Sequence, residues 1–568
     1  MSNYRNYWML SMFCLVTFPL FSQAMYLEIN LDDVKGNKQF PRSTQPLEIF
    51  RVIEKAANDN NVQGIILNIG SFYGERDYLW ELRSALEKFK TTGKKICAFF
   101  SYADIDSYYL ASVADKIVMD ELGTLSILGY SMNRGYVRQT LDKIGIGVRE
   151  LRYLEYKSAA EMFTRDSMSE ADRRQNNEYL DDIFNHTRNT LMNARSWTSE
   201  EFETILNRDF IFSAKNAQTR GLVDFTGRKE AVFDAIKELE KNEIKHFVLY
   251  GNSDSSITQS KAHYSPPGAG GFLSRPPIIA VIYADGQTDM ERGVAALRLS
   301  KTIRELADKK RVKAIVIRMN SPGGSAEAAD YLDEAVRYTK EKKPVVVSMG
   351  QIAASGGYWA AMNANHITAT PYTVTGSIGV ISSWFYDNGL NAKLGLNTEI
   401  LKRGAHSDLL SGFLFPYRDL SSQEEERYKS FIMDMYGAFT RKVAASRNME
   451  IEKVEAAAQG RIFSGTRALE AGLIDSIGGL SDAIQIARNL ANIPDNKKVL
   501  FRKYPEPTFM EKLMNRVPSV AAFFAGLFKH TASIQTIADL LLPDADIRYR
   551  LERNGQIMPI LPLEFSVK

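Results

Sequence analysis

The chain is written twice. Asn61-Val62-Gln63-Gly64-Ile65-Ile66-Leu67-Asn68-Ile69-Gly70-Ser71 reads like Arg311-Val312-Lys313-Ala314-Ile315-Val316-Ile317-Arg318-Met319-Asn320-Ser321, at an offset of 312 − 62 = 250. Lys116-Ile117 matches His366-Ile367 at the same offset. Ile211-Phe212-Ser213 matches Ile462-Phe463-Ser464, and Gly221-Leu222-Val223-Asp224 matches Gly472-Leu473-Ile474-Asp475, both at 251. So long a unit, repeated with almost no net insertion, means two large domains in tandem rather than a short-period solenoid. Length alone would suggest about three to four domains for 568 residues; the repeat reduces them to two copies of one unit plus the ends.

The seam is legible. Residues 252–277 are rich in Ser, Gly and Pro, a composition that buries little apolar area and reads as a linker. Strand-like runs open each copy, Met25–Leu31 in the first and Ile278–Tyr283 in the second. The expected division is 25–251 for the first repeat, 278–492 for the second, and 493–568 for an unduplicated C-terminal extension. Within that extension Val517–Phe528 is apolar enough for a membrane-surface or oligomer contact, or for the packing of a terminal helix. Ile557–Leu563 resembles an extended docking strand.

Residues 1–24 read as a leader. Trp8–Phe21 is largely apolar over 14 residues, where a bilayer helix needs about 20. Ser22-Gln23-Ala24 then offers small residues at a signal-peptidase spacing. The expectation is an export signal cut after Ala24, or a short membrane anchor. Without the leader and its Cys14 the one remaining cysteine is Cys97, in a run that reads as a core strand. Neither a disulfide framework nor a cysteine-rich zinc module is possible. Lys+Arg exceeds Asp+Glu by 71 − 68 = 3, with no basic block, so nothing points to nucleic acid.

Within the second copy, Ala314–Ile317 and Val345–Ser348 read as strands, and Ala326–Lys340 and Gly357–Asn365 as helices. Strands apolar on both faces and separated by helices imply parallel β-α-β units, hence an α/β fold. Chemistry in such folds sits at the strand-to-helix loops. One loop is Asn320-Ser321-Pro322-Gly323-Gly324-Ser325, whose glycines leave backbone N–H groups uncovered at a helix start, either as an oxyanion site or as a plain turn. The other is Met349–Trp359, where Ser355 stands among Ala and Gly at a strand-to-helix junction, with the physical logic of a nucleophile elbow or of a Gly-rich packing turn. The Gly356 N–H would supply a second donor. At offset 250 the first copy has Ile105 for Ser355, Asp106 for Gly356 and Tyr73 for Gly323, although Gly74 still matches Gly324. The asymmetry favours one functional site, in the second copy.

A serine nucleophile needs a base. None of His186, His246, His263, His366, His406 and His530 lies in a pairing motif with Ser355. A neutral lysine can serve instead, at a cost of about 4 kcal/mol for a shift of about three units; spacing alone does not say which lysine.

Tyr156-Lys157-Ser158-Ala159-Ala160-Glu161, Asn320–Ser325, Ala353–Trp359 and Thr375-Gly376-Ser377-Ile378-Gly379, in this order and in a duplicated chain, resemble the signal peptide peptidase A (protease IV) family in its long form. The resemblance implies a tandem duplication of a Clp/crotonase-like β-β-α spiral domain with helical extensions. It implies a serine endopeptidase with a Ser–Lys dyad: Ser355 as nucleophile, Lys157 as general base and acid, Ser377 orienting the lysine, and Gly324 and Gly356 N–H as the oxyanion hole. Serine and lysine then come from opposite copies. The resemblance implies no metal and no cofactor. Its substrates would be cleaved signal peptides and other short apolar peptides. Its partners would be further copies of the chain, as a homotetramer, and the inner membrane surface. Its place would be the bacterial cell envelope, membrane-associated and facing the periplasm, or soluble in the periplasm if the leader is cut. This chain departs from the family in its shorter leader, in Glu155 before Tyr156, and in Met162 after Glu161 where Pro is frequent. Two other readings stand beside it. A crotonase-type acyl-CoA enzyme shares the scaffold but has no need of Ser355, Lys157 and Ser377 together. A non-catalytic scaffold of the same fold has no need of them at all. A Ser-His-Asp peptidase lacks a suitably placed histidine.

Overall fold

The computed structural model describes residues 24–31, 46–70, 72, 74–242, 244, 246–250, 257–258 and 276–505. The apolar leader with Cys14, most of the linker, and the tail segments 517–528 and 557–563 lie outside the described residues. Each repeat is an α/β unit around one sheet. The first contains β1 (Met25–Asn30), β2 (Val62–Gly70), β3 (Lys95–Ala103), β4 (Lys116–Ser126), β5 (Ile146–Leu151), β6 (Ile211–Ser213), β7 (Phe225–Thr226) and β8 (His246–Tyr250). The second contains β9 (Ile278–Asp285), β10 (Val312–Ser321), β11 (Val345–Ala354), β12 (His366–Ala369), β13 (Val374–Gly376), β14 (Ser382–Asp387), β15 (Ile462–Ser464), β16 (Ser476–Ile477) and β17 (Leu500–Tyr504).

The sheet orders are β6-β4-β3-β2-β1-β8 and β15-β13-β11-β10-β9-β17, with β7 beside β4 and β16 beside β12. The two orders correspond strand for strand, the long β4 of the first copy being split into β12 and β13 in the second. The sheet interiors are parallel, and β4–β6 and β13–β15 are the antiparallel pairs. β2, β3, β10 and β11 are buried almost throughout, which is why they read as unbroken apolar runs rather than alternating ones. Cys97 is one of these buried core residues, in β3.

The structure extends the duplication beyond the matched sequence. β8 lies parallel to β1, and β17 lies parallel to β9. The second sheet therefore takes in residues 500–504, past the end of the sequence repeat. The first copy also reaches into the linker region. Glu28, fully buried on β1, accepts hydrogen bonds from the N–H groups of Ile257 (2.8 Å) and Thr258 (2.9 Å), and the Ile257 side chain is buried.

Ala326–Lys340 is helical over the expected residues, with Ser325 Oγ capping the Ala328 N–H. Two expectations need correction. The strand expected over Val345–Ser348 continues to Ala354. It pairs with β12 through Val346–Ser348 and then with β13 through Ile352–Ala354. Gly350 and Gln351 interrupt the apolar run at that change of partner, so this stretch resembled a loop. The next helix is Gly356–Ala361 rather than Gly357–Asn365. It ends early because Asn365 turns back to β11, its N–H on Val345 O and its Oδ1 accepting from Val345 N, both at 2.8 Å.

The repeats clasp each other through β5. This strand leaves the first repeat and pairs antiparallel with β14 of the second, Ile146 opposite Asp387 and Leu151 opposite Ser382. Leu151 and the following Leu154 enter the core of the second repeat beside Ile378 and Val380. The chain after β5 is thereby delivered to the end of β11.

Candidate active site

Ser355 occupies the single residue between β11 and the helix Gly356–Ala361, at φ 56° and ψ −116°. A non-glycine residue at positive φ on a strand-to-helix turn is strained, the local condition of a nucleophile elbow. The turn is held by Ser355 N donating to Gly376 O (2.8 Å) and Trp359 N donating to Ser355 O (2.8 Å).

Lys157 arrives from the other repeat. Its side chain is fully buried, as are Ser355 and Ser377. Nζ lies 2.7 Å from Ser355 Oγ, 2.8 Å from Ser377 O and 3.0 Å from Ser377 Oγ. Ser377 Oγ donates onward to Gly460 O (3.3 Å). The sequence-expected triad thus converges at hydrogen-bonding distance from three separate stretches of chain.

The lysine segment is fixed on both sides. Tyr156 N donates to Gln459 O (2.9 Å), and Gln175 Nε2 donates to Tyr156 O (3.1 Å). Ser158 Oγ bonds to Asp172, which also pairs with Arg134. Glu161, fully buried, accepts from Arg152 Nη1 (2.5 Å) and from Ser169 N (3.0 Å). Gln175, Asp172 and the Ser169 cap belong to one helix, Glu170–Arg195, which sets the height of the Lys157 loop.

The glycine loops lie against the same point. The strand-like segment at Thr288 binds across the first loop: Thr288 N donates to Gly323 O (2.8 Å) and Ser325 N donates to Thr288 O (2.7 Å), leaving the Gly324 N–H outside that ladder. Gly324 has φ 153°, and a β-carbon there would stand 2.2 Å from Thr288 O. A β-carbon on Gly356 would lie 3.2 Å from Gly324 N, so the two residues are immediate neighbours. The Gly356 N–H opens a helix and has no intrahelical acceptor. Two adjacent amide donors beside a hydroxyl form the layout that stabilises a tetrahedral oxyanion.

Gly460 escaped the sequence reading. It stands at φ 83°, and a β-carbon on it would lie 2.6 Å from Lys157 Cβ. It packs on the lysine backbone while its carbonyl receives Ser377 Oγ. The available signal was its place just before the repeated Ile462-Phe463-Ser464 motif. Three histidines are engaged elsewhere, and a fourth, His246, is exposed at the start of β8: His366 bonds Ser476 Oγ and His406 bonds Glu424, each at 2.8 Å, and His186 packs edge-on against Tyr372. His263 and His530 lie outside the described residues. Among the described residues no group of three or more His, Cys, Asp and Glu is placed to hold a metal.

The model of peptidase family S49 matches this chain twice, over residues 88–243 and 337–494. The first match contains Lys157; the second contains Ser355 and Ser377. Serine protease SPPA, chloroplastic, of Arabidopsis thaliana is 31% identical over 463 residues, which cover 80% of this chain and 67% of that protein. Protease 4 of Salmonella typhi is 30% identical over 492 residues, covering 82% and 75%. Protease 4 of Haemophilus influenzae is 29% identical over 490 residues, covering 81% and 75%. With both repeats matched and relatives that span the pair, the chain belongs to peptidase family S49 and is a serine peptidase.

Proposed function

We propose that this peptidase works through a Ser355–Lys157 dyad assembled between its two repeats. The observation that carries the reading is the 2.7 Å contact of Lys157 Nζ with Ser355 Oγ in a fully buried setting. Removal from water disfavours a charged amine, and a neutral amine is what a general base requires. Lys157 takes the Ser355 proton as Oγ attacks the peptide carbonyl. The oxyanion is received by the Gly324 and Gly356 N–H groups. Lys157 returns the proton to the leaving amine, then deprotonates the water that hydrolyses the acyl-enzyme. Ser377 holds Nζ on the line to Oγ.

The finer reading follows the family resemblance. The substrates are short apolar peptides, cleaved signal peptides among them. The enzyme works in the bacterial envelope at the periplasmic face of the inner membrane, as a homotetramer, with residues 1–24 as its export signal or anchor. Among the described residues no helix is long and apolar enough to cross a membrane.

Ser355→Ala and Lys157→Ala should each abolish peptide cleavage while the protein still unfolds cooperatively. A serine-directed acylating probe should label wild type at Ser355, located by mass mapping, and should fail on Lys157→Ala. Labelling at another residue, or turnover retained by either variant, would overturn the dyad.

A further inference from the structure

One oxyanion donor depends on which way a peptide plane between two glycines is turned. Gly323 stands at φ 103° and Gly324 at φ 153°, backbone that side chains rarely adopt. Two glycines in succession give the loop no side chain to resist a flip of the peptide between them. In a trans peptide the C=O and N–H point in opposite directions. Gly323 O accepts from Thr288 N (2.8 Å), so the Gly324 N–H is turned away from Thr288. A flip would put the Gly323 carbonyl where the oxyanion has to sit.

The preceding plane is held as well, and by side chains. Gly323 N donates to Ser321 Oγ (3.3 Å), and Ser321 Oγ pairs with Thr288 Oγ1 (3.0 Å). Thr288 and Ser321 are both 0% exposed. Valine and alanine would fill nearly the same space without the desolvation cost of two hydroxyls. The pair also lies against the start of the nucleophile helix. A β-carbon on Gly356 would stand 3.4 Å from Thr288 Oγ1, and one on Gly357 would stand 2.5 Å from Ser321 O and 3.1 Å from Ser321 Cβ. The same two residues therefore touch the loop that carries the Gly324 N–H and the helix start that carries the Gly356 N–H.

Thr288 is itself fixed. It bridges Gly324 on one side and Gly293 on the other, in a tight hairpin after β9. Gly286 N donates to Asn320 O (3.0 Å) and Val294 N to Gln287 O (2.9 Å). Asp289 Oδ1 accepts from Glu291 N (2.9 Å) and Arg292 N (3.0 Å), which closes the turn.

We infer that Thr288, through its hydroxyl pair with Ser321, is the positioning residue of the oxyanion hole. It keeps the Gly323–Gly324 peptide turned with its N–H toward the reacting carbonyl and sets the gap between that N–H and the one on Gly356. The inference rests on the dyad reading, which assigns those two N–H groups. The two hydroxyls transfer no proton; they act on where the developing negative charge is met. Their removal therefore weakens the tetrahedral state more than the bound peptide, and leaves the titration of Lys157 alone.

The test uses the full chain and a fluorogenic peptide. Thr288→Val keeps the N–H on Gly323 O and the branched shape but loses the hydroxyl; Ser321→Ala removes the other half of the pair. In each, kcat should fall about tenfold to a hundredfold, at or below the loss expected for a whole oxyanion donor, with KM within about twofold of wild type. The double variant should fall little further than the worse single one, because both remove one contact. Thr288→Ser should restore most of the rate. Affinity for a peptide aldehyde, whose adduct with Ser355 is tetrahedral, should drop by the same factor as kcat. The acid limb of the kcat/KM profile, set by Lys157, should keep its midpoint, whereas a general loosening of the site would move it. Wild-type kcat in either single variant, a slowed variant with unchanged aldehyde affinity, a shifted midpoint, or losses that multiply in the double variant would each overturn the inference. The acylating probe keeps the two readings apart. Wild type labelled away from Ser355 sinks the dyad, while labelling at Ser355 with an unslowed Thr288→Val sinks the role of Thr288 alone.

Discussion

Gly460 bears on the reacting amine through backbone alone. An alanine there would carry a left-handed φ and place its β-carbon 2.6 Å from Lys157 Cβ and 2.7 Å from Lys157 N. Ordinary carbon contacts begin near 3.5 Å, so the lysine segment must retreat by roughly 1 Å, and a misplacement of that size costs about a hundredfold in rate. Gly460→Ala is therefore expected to slow peptide cleavage about a hundredfold, with a loss of stability of about 2–5 kcal/mol from the left-handed strain and the clash together. A rate within about twofold of wild type would show that the lysine position does not depend on this contact. Ser355 could be singled out because a serine among small residues is conspicuous, and its absence from the first copy pointed to a role. Lys157 became legible only through the family resemblance, since nothing in composition marks which lysine will be buried. Gly460 had no mark at all: its importance lies in a contact more than 300 positions away in sequence.

The helix Glu170–Arg195 shows what an element contributes. It starts at the Ser169 cap, holds the Lys157 loop through Asp172 and Gln175, and meets the second repeat through Glu178 with Arg461 (2.5 Å) and Asp182 with Arg467 (2.7 Å). Near its middle Thr187 bonds the Tyr372 hydroxyl (2.6 Å), and the neighbouring His186 packs on the same ring with Nε2 buried and unpartnered among the described residues. Burial, then the nearby Arg83 charge, pushes the His186 imidazole down to about 4. A depressed histidine is held neutral in the fold, so its contribution is present above the unfolded value near 6.5 and is lost as pH falls toward 4. Urea unfolding should show a smaller drop in stability from pH 7.5 to 4.5 in His186→Phe than in wild type, by about 2–3 kcal/mol. Equal drops would mean that His186 is not the buried base. The element pattern itself was readable where apolar runs were continuous, as in β10 and the helix Ala326–Lys340. It failed where a strand changes partner, at Gly350-Gln351 in β11, and for β8 and β17, whose membership in a sheet is decided by tertiary pairing rather than by local pattern.

At the scale of the whole molecule, the repeats are joined by a buried ion cluster as well as by β5. Arg318 on β10 reaches across to Asp77 (3.0 Å) and Glu81 (2.6 Å) of the first repeat, and also donates to Ser348 Oγ (2.9 Å). Glu81 additionally accepts from Leu480 N (3.0 Å). Burial pushes both carboxyls up, while Arg318 pulls them back. Duplication made this device possible and divergence made it illegible: the counterpart of Arg318 is Asn68, so no repeated motif announces it. A dyad drawn from both repeats requires their relative position to be fixed to within a fraction of an ångström, and a buried cation between two carboxylates fixes it at the price of fragility. Removing the cation leaves charge buried without compensation, which costs about 3–5 kcal/mol, whereas replacing a whole cluster by neutral groups is often tolerated. Arg318→Met should therefore lower unfolding stability by about 3–5 kcal/mol and slow acylation of Ser355. Adding Asp77→Asn and Glu81→Gln to it should restore most of the stability. A single-variant loss below about 1 kcal/mol would show that the cluster is not what locks the repeats. Restored stability without restored acylation would separate its two roles, assigning the positioning of the dyad to the charge itself rather than to the packing of the repeats.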